Sequence, residues 1–253
     1  MLSTSGKLVV LAVVLCSFSV NAARKLPSYI PKCKADDPQL EKCILDGIEQ
    51  VRPHLPNGIR EINVPPVEPF AIDKLQVDRN NPNLKLKLIL TNMKAYGCSG
   101  FQVNKFKLTP NRDGMEGSIT FPTLNITSDF DINGSVFSQK MKGTGIFAAN
   151  LKNVKVNLSV KAKVAENGKY AQMEDMKFKI VNTGSRSDVQ LLPNPNAKGK
   201  DAQNLKDALK FFNSNREQVF ELALPIVEET GREIALNIGN NILKSIPIKD
   251  VVA

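Results

Sequence analysis

Apolar residues between Asp201 and Pro247 recur at intervals of three and four: Leu205, Ala208, Leu209, Phe212, Val219, Phe220, Ala223, Ile226, Val227, Ile234, Ile238 and Ile242. That is a helical period, since strand side chains alternate every two residues. Leu222, Leu224, Ala235, Leu236 and Leu243 widen the stripe until little of the second half is polar. Such a helix must be enclosed. Glu221, Glu228, Glu229, Arg232, Glu233, Asn237 and Asn240 forbid a bilayer as the enclosure, which leaves protein. About 40 residues at 1.5 Å each would run about 60 Å. Pro225 predicts a kink, because its ring clashes with the carbonyl of Glu221 and one ladder hydrogen bond is lost. Pro247 predicts the stop.

Upstream, from Ile72 to Leu192, the period becomes two. Leu84, Leu86, Leu88 and Leu90 share one face and Lys85 and Lys87 the other. Val154, Val156, Leu158, Val160, Ala162 and Val164 alternate with Lys155, Asn157, Ser159, Lys161 and Lys163, and Met176, Phe178 and Ile180 alternate with Lys177 and Lys179. One-sided alternation of this length predicts an antiparallel sheet with one wet face. The phase slips between Val103 and Phe106, and between Phe121 and Leu124 beside Pro122, which predicts bulges or bends that curve the sheet. Turn signals stand at Asn111-Arg112-Asp113-Gly114, Asn133-Gly134, Asn167-Gly168 and Thr183-Gly184, and residues 194–200 read as a linker. Before the sheet, Leu40, Ile44, Ile48 and Val51 line one face of a short helix over Pro38–Val51, with Asp37 as its N-cap. Pro53 and Pro56 end it, and Pro65, Pro66 and Pro69 keep the next stretch extended. A curved sheet with an apolar inner face and a long helix in need of cover satisfy each other. The expectation is an α+β fold: one long, Pro-kinked C-terminal helix wrapped by a strongly curved antiparallel sheet, with a short N-terminal helix. One helix cannot fill so wide a sheet to native density, so an apolar cavity between them is a natural consequence.

The chain has 253 residues, 42% hydrophobic and 23% charged, an ordinary globular balance. Residues 1–22 carry one charge, Lys7, then an apolar run from Leu8 to Cys16, then Val20 and Ala22 before a cut. This reads as a secretory signal peptide, leaving a single domain over residues 23–253 outside the cell. Secretion favours oxidation of Cys33, Cys43 and Cys98, and the closely spaced Cys33 and Cys43 are the expected bridge. Cys98 is left as a small packing residue.

Several motifs have simpler readings than their chemistry. DFDINGSVFSQK places Asp129, Asp131, Asn133 and Gly134 like the first half of a calcium loop, but its twelfth position is Lys140 and its flanks alternate like strands, so a hairpin explains it better. No metal or other cofactor is expected. Asn125, Asn133 and Asn157 head glycosylation sequons, and all three are expected to face water. The net charge of +9 comes from lysines spaced singly along strands, without interleaved aromatics. That pattern suits a solvated face rather than nucleic acid, and leaves weak attraction to an acidic membrane surface, without stable insertion, as its other use. His54 is the one imidazole, and Gly97-Cys98-Ser99-Gly100 lacks the strand–turn–helix setting of a nucleophile, so no enzyme is expected.

The order of the chain's words is similar to that of one family. An early cysteine pair, GIREINVPPVEPF, KLKLILTNMKAYGCSGF, KMKGTGIFAANLKNVKVNL and the long C-terminal helix with Pro225 and Ile246-Pro247 together resemble the insect takeout and haemolymph juvenile hormone-binding proteins. Gly143-Thr144-Gly145 reads there as a turn before a strand. The resemblance covers nearly all of the mature chain. It implies an elongated apolar tunnel and a secreted carrier of a small lipophilic ligand: a juvenile hormone-like terpenoid, a fatty acid or a related lipid. It also implies that Leu88, Phe121, Val156, Leu158, Phe178, Phe220, Leu224 and Val227, core residues by default, include lining residues of that tunnel. The alternative is a secreted interaction or signalling factor whose cavity holds structural lipid. This chain has no cysteine after Cys98, where the hormone carriers have a second bridge, so it resembles the takeout-like branch.

Overall fold

The computed structural model describes residues 26–165, 168–182, 187–194 and 199–252. The signal segment, the Thr183-Gly184 turn, Asn167 and residues 195–198 of the linker lie outside the described residues. The period-two stretch forms one antiparallel sheet of β1 (Phe70–Asn81), β2 (Leu84–Tyr96), β3 (Gln102–Leu108), β4 (Gly114–Val136), β5 (Gln139–Val164), β6 (Ala171–Asn182) and β7 (Asp188–Pro193). Its spine is the β4–β5 hairpin, in one unbroken register from Gly114↔Lys161 to Val136↔Gln139. β2 and β3 follow one another along the far side of β4; β6 and β7 do the same along β5; β1 pairs with β2.

The slip beside Pro122 is the corner of the sheet. Inward residues on β4 change from odd numbers (Ile119, Phe121) to even (Leu124, Ile126), and on β5 from odd (Ala149) to even (Val154, Val156). Both changes fall between the pairs Phe121↔Val154 and Thr123↔Lys152, where Pro122 has no N–H to give and Asn153 takes φ +51. The register survives while the face turns over.

Two turn expectations are corrected. The β4–β5 turn is Phe137–Ser138, both with positive φ (47° and 68°) as in a type I′ hairpin, not Asn133-Gly134. Asn133 and Gly134 lie within β4, where the glycine admits β2: a Cβ at 134 would stand 1.9 Å from Lys85 O. Gly143-Thr144-Gly145 is likewise the interior of β5, not a turn. A Cβ at 143 would press on Leu205, and one at 145 would meet Leu192 O at 2.2 Å, so these glycines make room for a helix and a strand.

α1 (Leu40–Val51) begins two residues later than Pro38, although Asp37 Oδ1 still accepts the Gln39 N–H at 2.7 Å. Cys33 and Cys43 are bridged, and Cys33 N–H donates to Val251 O at 2.9 Å, tying the start of the domain to its end.

The C-terminal helical stretch is divided. α2 (Gly199–Ser214) and α3 (Arg216–Leu243) meet at Asn215, with φ −130° and ψ 34°. Asn215 Nδ2 donates to Phe211 O at 2.9 Å, a side-chain bond that competes with helical continuation. Pro225 lies inside α3, whose helix runs on through it. After Pro247 a last short helix, α4 (Ile248–Val251), returns to the disulfide. α2 covers one end of the concave face, where Ala208 joins Leu84, Val136 and Met141 in the core, and Phe211, Val219, Leu222 and Ile226 pack around them.

Candidate ligand-binding interior

Register places the inner face in rows across the sheet. Toward the β4–β5 turn run Val77–Leu88–Ile132–Gly143 and Leu75–Leu90–Phe130–Gly145. Beyond the corner run Val103–Ile119–Val156–Ile180 and Phe106–Gly117–Leu158–Phe178. The complete burial of Val156, at 1% exposure, makes it packing. Leu88, Leu90, Phe121, Leu124, Leu158 and Phe178 are inward yet only half-buried.

α3 lies along the outer edge of β6 and β7, held by one row of its own side chains. On a helix every fourth residue falls on a gently inclined ridge, and here that ridge is Arg216, Phe220, Leu224, Glu228, Arg232, Leu236 and Asn240. Arg216 Nη2 donates to Val189 O at 2.7 Å; Glu228 Oε1 accepts the Ile180 N–H at 3.0 Å; Arg232 Nε donates to Met176 O at 2.7 Å. Asn240 both accepts from Met173 N–H at 2.8 Å and donates to Met173 O at 3.2 Å. β6 pairs with β5 on one side only, so these side chains occupy backbone groups that an edge strand leaves open. From the same helix Glu229 pairs with Arg79 of β1, at the opposite margin of the sheet. α3 therefore bridges both margins of the half-barrel.

Of the expected lining residues, Leu158 and Phe178 are direct partners, Val156 is one row away, and Phe178 rests against Gly231 of α3. Phe121 lies at the corner, and Leu88 belongs to the far half of the sheet. Phe220, Leu224 and Val227 are 41%, 37% and 51% exposed, the first two on the ridge between its anchors at β7 and β6. The sequence treats Glu228, Arg232 and Asn240 only as polar residues on an enclosed helix. Their four-residue spacing was the available sign that they bond a single edge.

Two open clefts lie elsewhere, of about 240 Å³ beside Pro31, Asp37 and Asp46 and about 430 Å³ beside Arg52, Phe101 and Val103. Arg52 in the second is already engaged, stacked 4.2 Å from the Phe101 ring and bonded to Glu49 and the Ser99 and Phe101 carbonyls. His54 stacks on Tyr29 at 3.7 Å. Asp129, Asp131 and Asn133 stand in line along an extended, solvent-facing strand, and Asn125, Asn133 and Asn157 are all exposed. Among the described residues no helix is long and apolar enough to cross a membrane.

The family model described as haemolymph juvenile hormone binding protein matches residues 9–253. The circadian clock-controlled protein daywake of Drosophila melanogaster is 23% identical over 203 residues, spanning 74% of each chain. The crystal structure of Takeout 1 from Epiphyas postvittana superposes with a TM-score of 0.65 at 19% identity, over 88% of this chain and 99% of that one. At that identity the likeness speaks to the fold: the same curved sheet and C-terminal helix.

Proposed function

The chain belongs to the haemolymph juvenile hormone binding protein family, and from that membership we propose that it is a secreted carrier of one elongated apolar molecule, held between the sheet and α3. The observation that supports this most is the half-buried state of Leu88, Phe121, Leu124, Leu158 and Phe178 on the inner face. A packed interior buries such side chains fully; a ligand among them would complete the burial. At about 25 cal/mol per Å², hiding about 300 Å² of apolar ligand surface gains roughly 7 kcal/mol before entropy costs. A terpenoid, a fatty acid or a related lipid fits that chemistry. The Cys33–Cys43 bridge accords with an oxidising, extracellular setting, and the exposed Asn125 and Asn157 with glycosylation there. Nothing in this mode of action needs a catalytic group.

Leu158, paired across the sheet with Phe178 on one side and Gly117 on the other, is the position for the test. The parent protein is expected to bind a fluorescent fatty acid displaceable by unlabelled lipid. Leu158→Trp should abolish that binding while the melting temperature stays near the parent's. No binding by the parent, or unchanged binding by the variant, would defeat the proposal. Native mass spectrometry of protein from its own tissue separates an exchangeable cargo from a permanent structural lipid, the mark of an interaction factor.

A further inference from the structure

At the end of the β4–β5 hairpin opposite α1, two turns are locked side by side: the Phe137 N–H donates to Asn83 O of the β1–β2 turn at 2.9 Å. The turn projects Phe137 into solvent at 42% exposure, in a left-handed conformation where asparagine or glycine is the ordinary choice. The ring thus leaves apolar surface in water at the very end of the hairpin. Behind it, register sets two outward rows, Asn80–Lys85–Ser135–Lys140 and Asp78–Lys87–Asn133–Lys142. All four lysines are exposed, and the acid within these rows is Asp78, 3.9 Å from Lys87. Asp131 lies one row farther from the tip, and Lys206, Asp207 and Lys210 are exposed on α2, which covers the same end.

We propose that this tip docks on a bilayer containing anionic phospholipid, with Phe137 in the interfacial layer and Lys85, Lys87, Lys140 and Lys142 over the headgroup phosphates. Aromatic rings favour the membrane–water boundary, and basic residues beside them are drawn to anionic lipid. One aromatic ringed by lysines offers too little apolar area for a stable protein interface, whereas a membrane accepts a point anchor with diffuse charge. Docking here leaves the interior untouched and holds whether or not the interior carries lipid.

The chain has no tryptophan, so Phe137→Trp introduces a single indole at the tip. Protein made without glycans is used, because a glycan on Asn133 would stand between Lys87 and Lys142. Mixed with phosphatidylserine–phosphatidylcholine vesicles at low salt, the protein should co-sediment, release as salt rises, and show blue-shifted indole emission in the Phe137→Trp variant. Phosphatidylcholine vesicles alone should do neither. Phe137→Asn, which suits the turn, and Lys85→Gln with Lys140→Gln should weaken partition, by roughly fivefold per lysine, with unchanged melting temperatures. Absent co-sedimentation, an unshifted indole, equal binding to neutral vesicles, or indifference to these substitutions would each overturn the proposal.

Discussion

Glu68 carries an irregular stretch of the fold on one carboxylate. Its oxygens accept the N–H groups of Gly97 and Ser99, each at 2.8 Å, and the Ser99 hydroxyl at 2.9 Å. These bonds pin the turn between β2 and β3 to the segment entering β1. Burial opposes the charge most strongly, yet the donors from Ser99, Gly97 and Cys98 together outweigh it and hold the carboxyl below the usual glutamate range. Glu68→Ala should therefore cost about 1–3 kcal/mol in chemical denaturation at neutral pH, since two N–H groups lose their acceptor. A folded-state pKa below the unfolded one gives stability above the ordinary value of 4.5 that is lost as pH falls. The gap between parent and variant should accordingly narrow in acid. Beside this site, burial and then the Glu68 charge push the Cys98 thiol up to about 11. At pH 8 about one thiol in a thousand would be ionised, so iodoacetamide should label Cys98 slowly in the native protein and quickly after unfolding. Rapid native labelling would contradict this placement. The packing role of Cys98 is legible in sequence; its tie to Glu68, thirty residues earlier, is not.

The elements divide by how local their causes are. Alternation locates the sheet because a half-buried strand must repeat at two, and the helical stretch is equally plain at three and four. The break at Asn215 is masked in the sequence although Asn215-Arg216-Glu217-Gln218 has the spacing of a helix start, because the apolar stripe continues across it. The Phe137–Ser138 turn has no local signal because neither residue favours positive φ; the long register and the bond to Asn83 impose it. How α3 seals β6 can be tested at two of its contacts. Asn240→Ala removes both bonds to Met173 and should cost about 1–2 kcal/mol, with faster amide exchange at Met173. Lys179→Ala leaves the Glu228 carboxylate, itself buried at 9% side-chain exposure, without its cation, so stability should fall by about 1–3 kcal/mol although the lysine is largely exposed.

Over the whole molecule, the ends are joined at Cys33, which is bridged to α1 and bonded to Val251. Replacing Cys33 and Cys43 by alanine should lower stability by about 2–3 kcal/mol, the closure entropy of a short loop, read from the shift in denaturation midpoint. Peptide mapping without reductant should show the two cysteines in one linked fragment and Cys98 in none.

Sequence alone determined the local periods, the faces they create and the residues that interrupt them, because these depend on a few neighbouring bonds. From them follow the antiparallel sheet, its corner at Pro122, the C-terminal helix and the outward lysines. Tertiary structure alone decided where the sheet's margins come to lie and what closes them. The row from Arg216 to Asn240 has meaning only against an open strand edge brought to it by the curvature of the sheet. The lysines at the tip become one patch only because register aligns β2 and β5 on either side of β4. Those juxtapositions join residues far apart in the chain, and no local repeat encodes them.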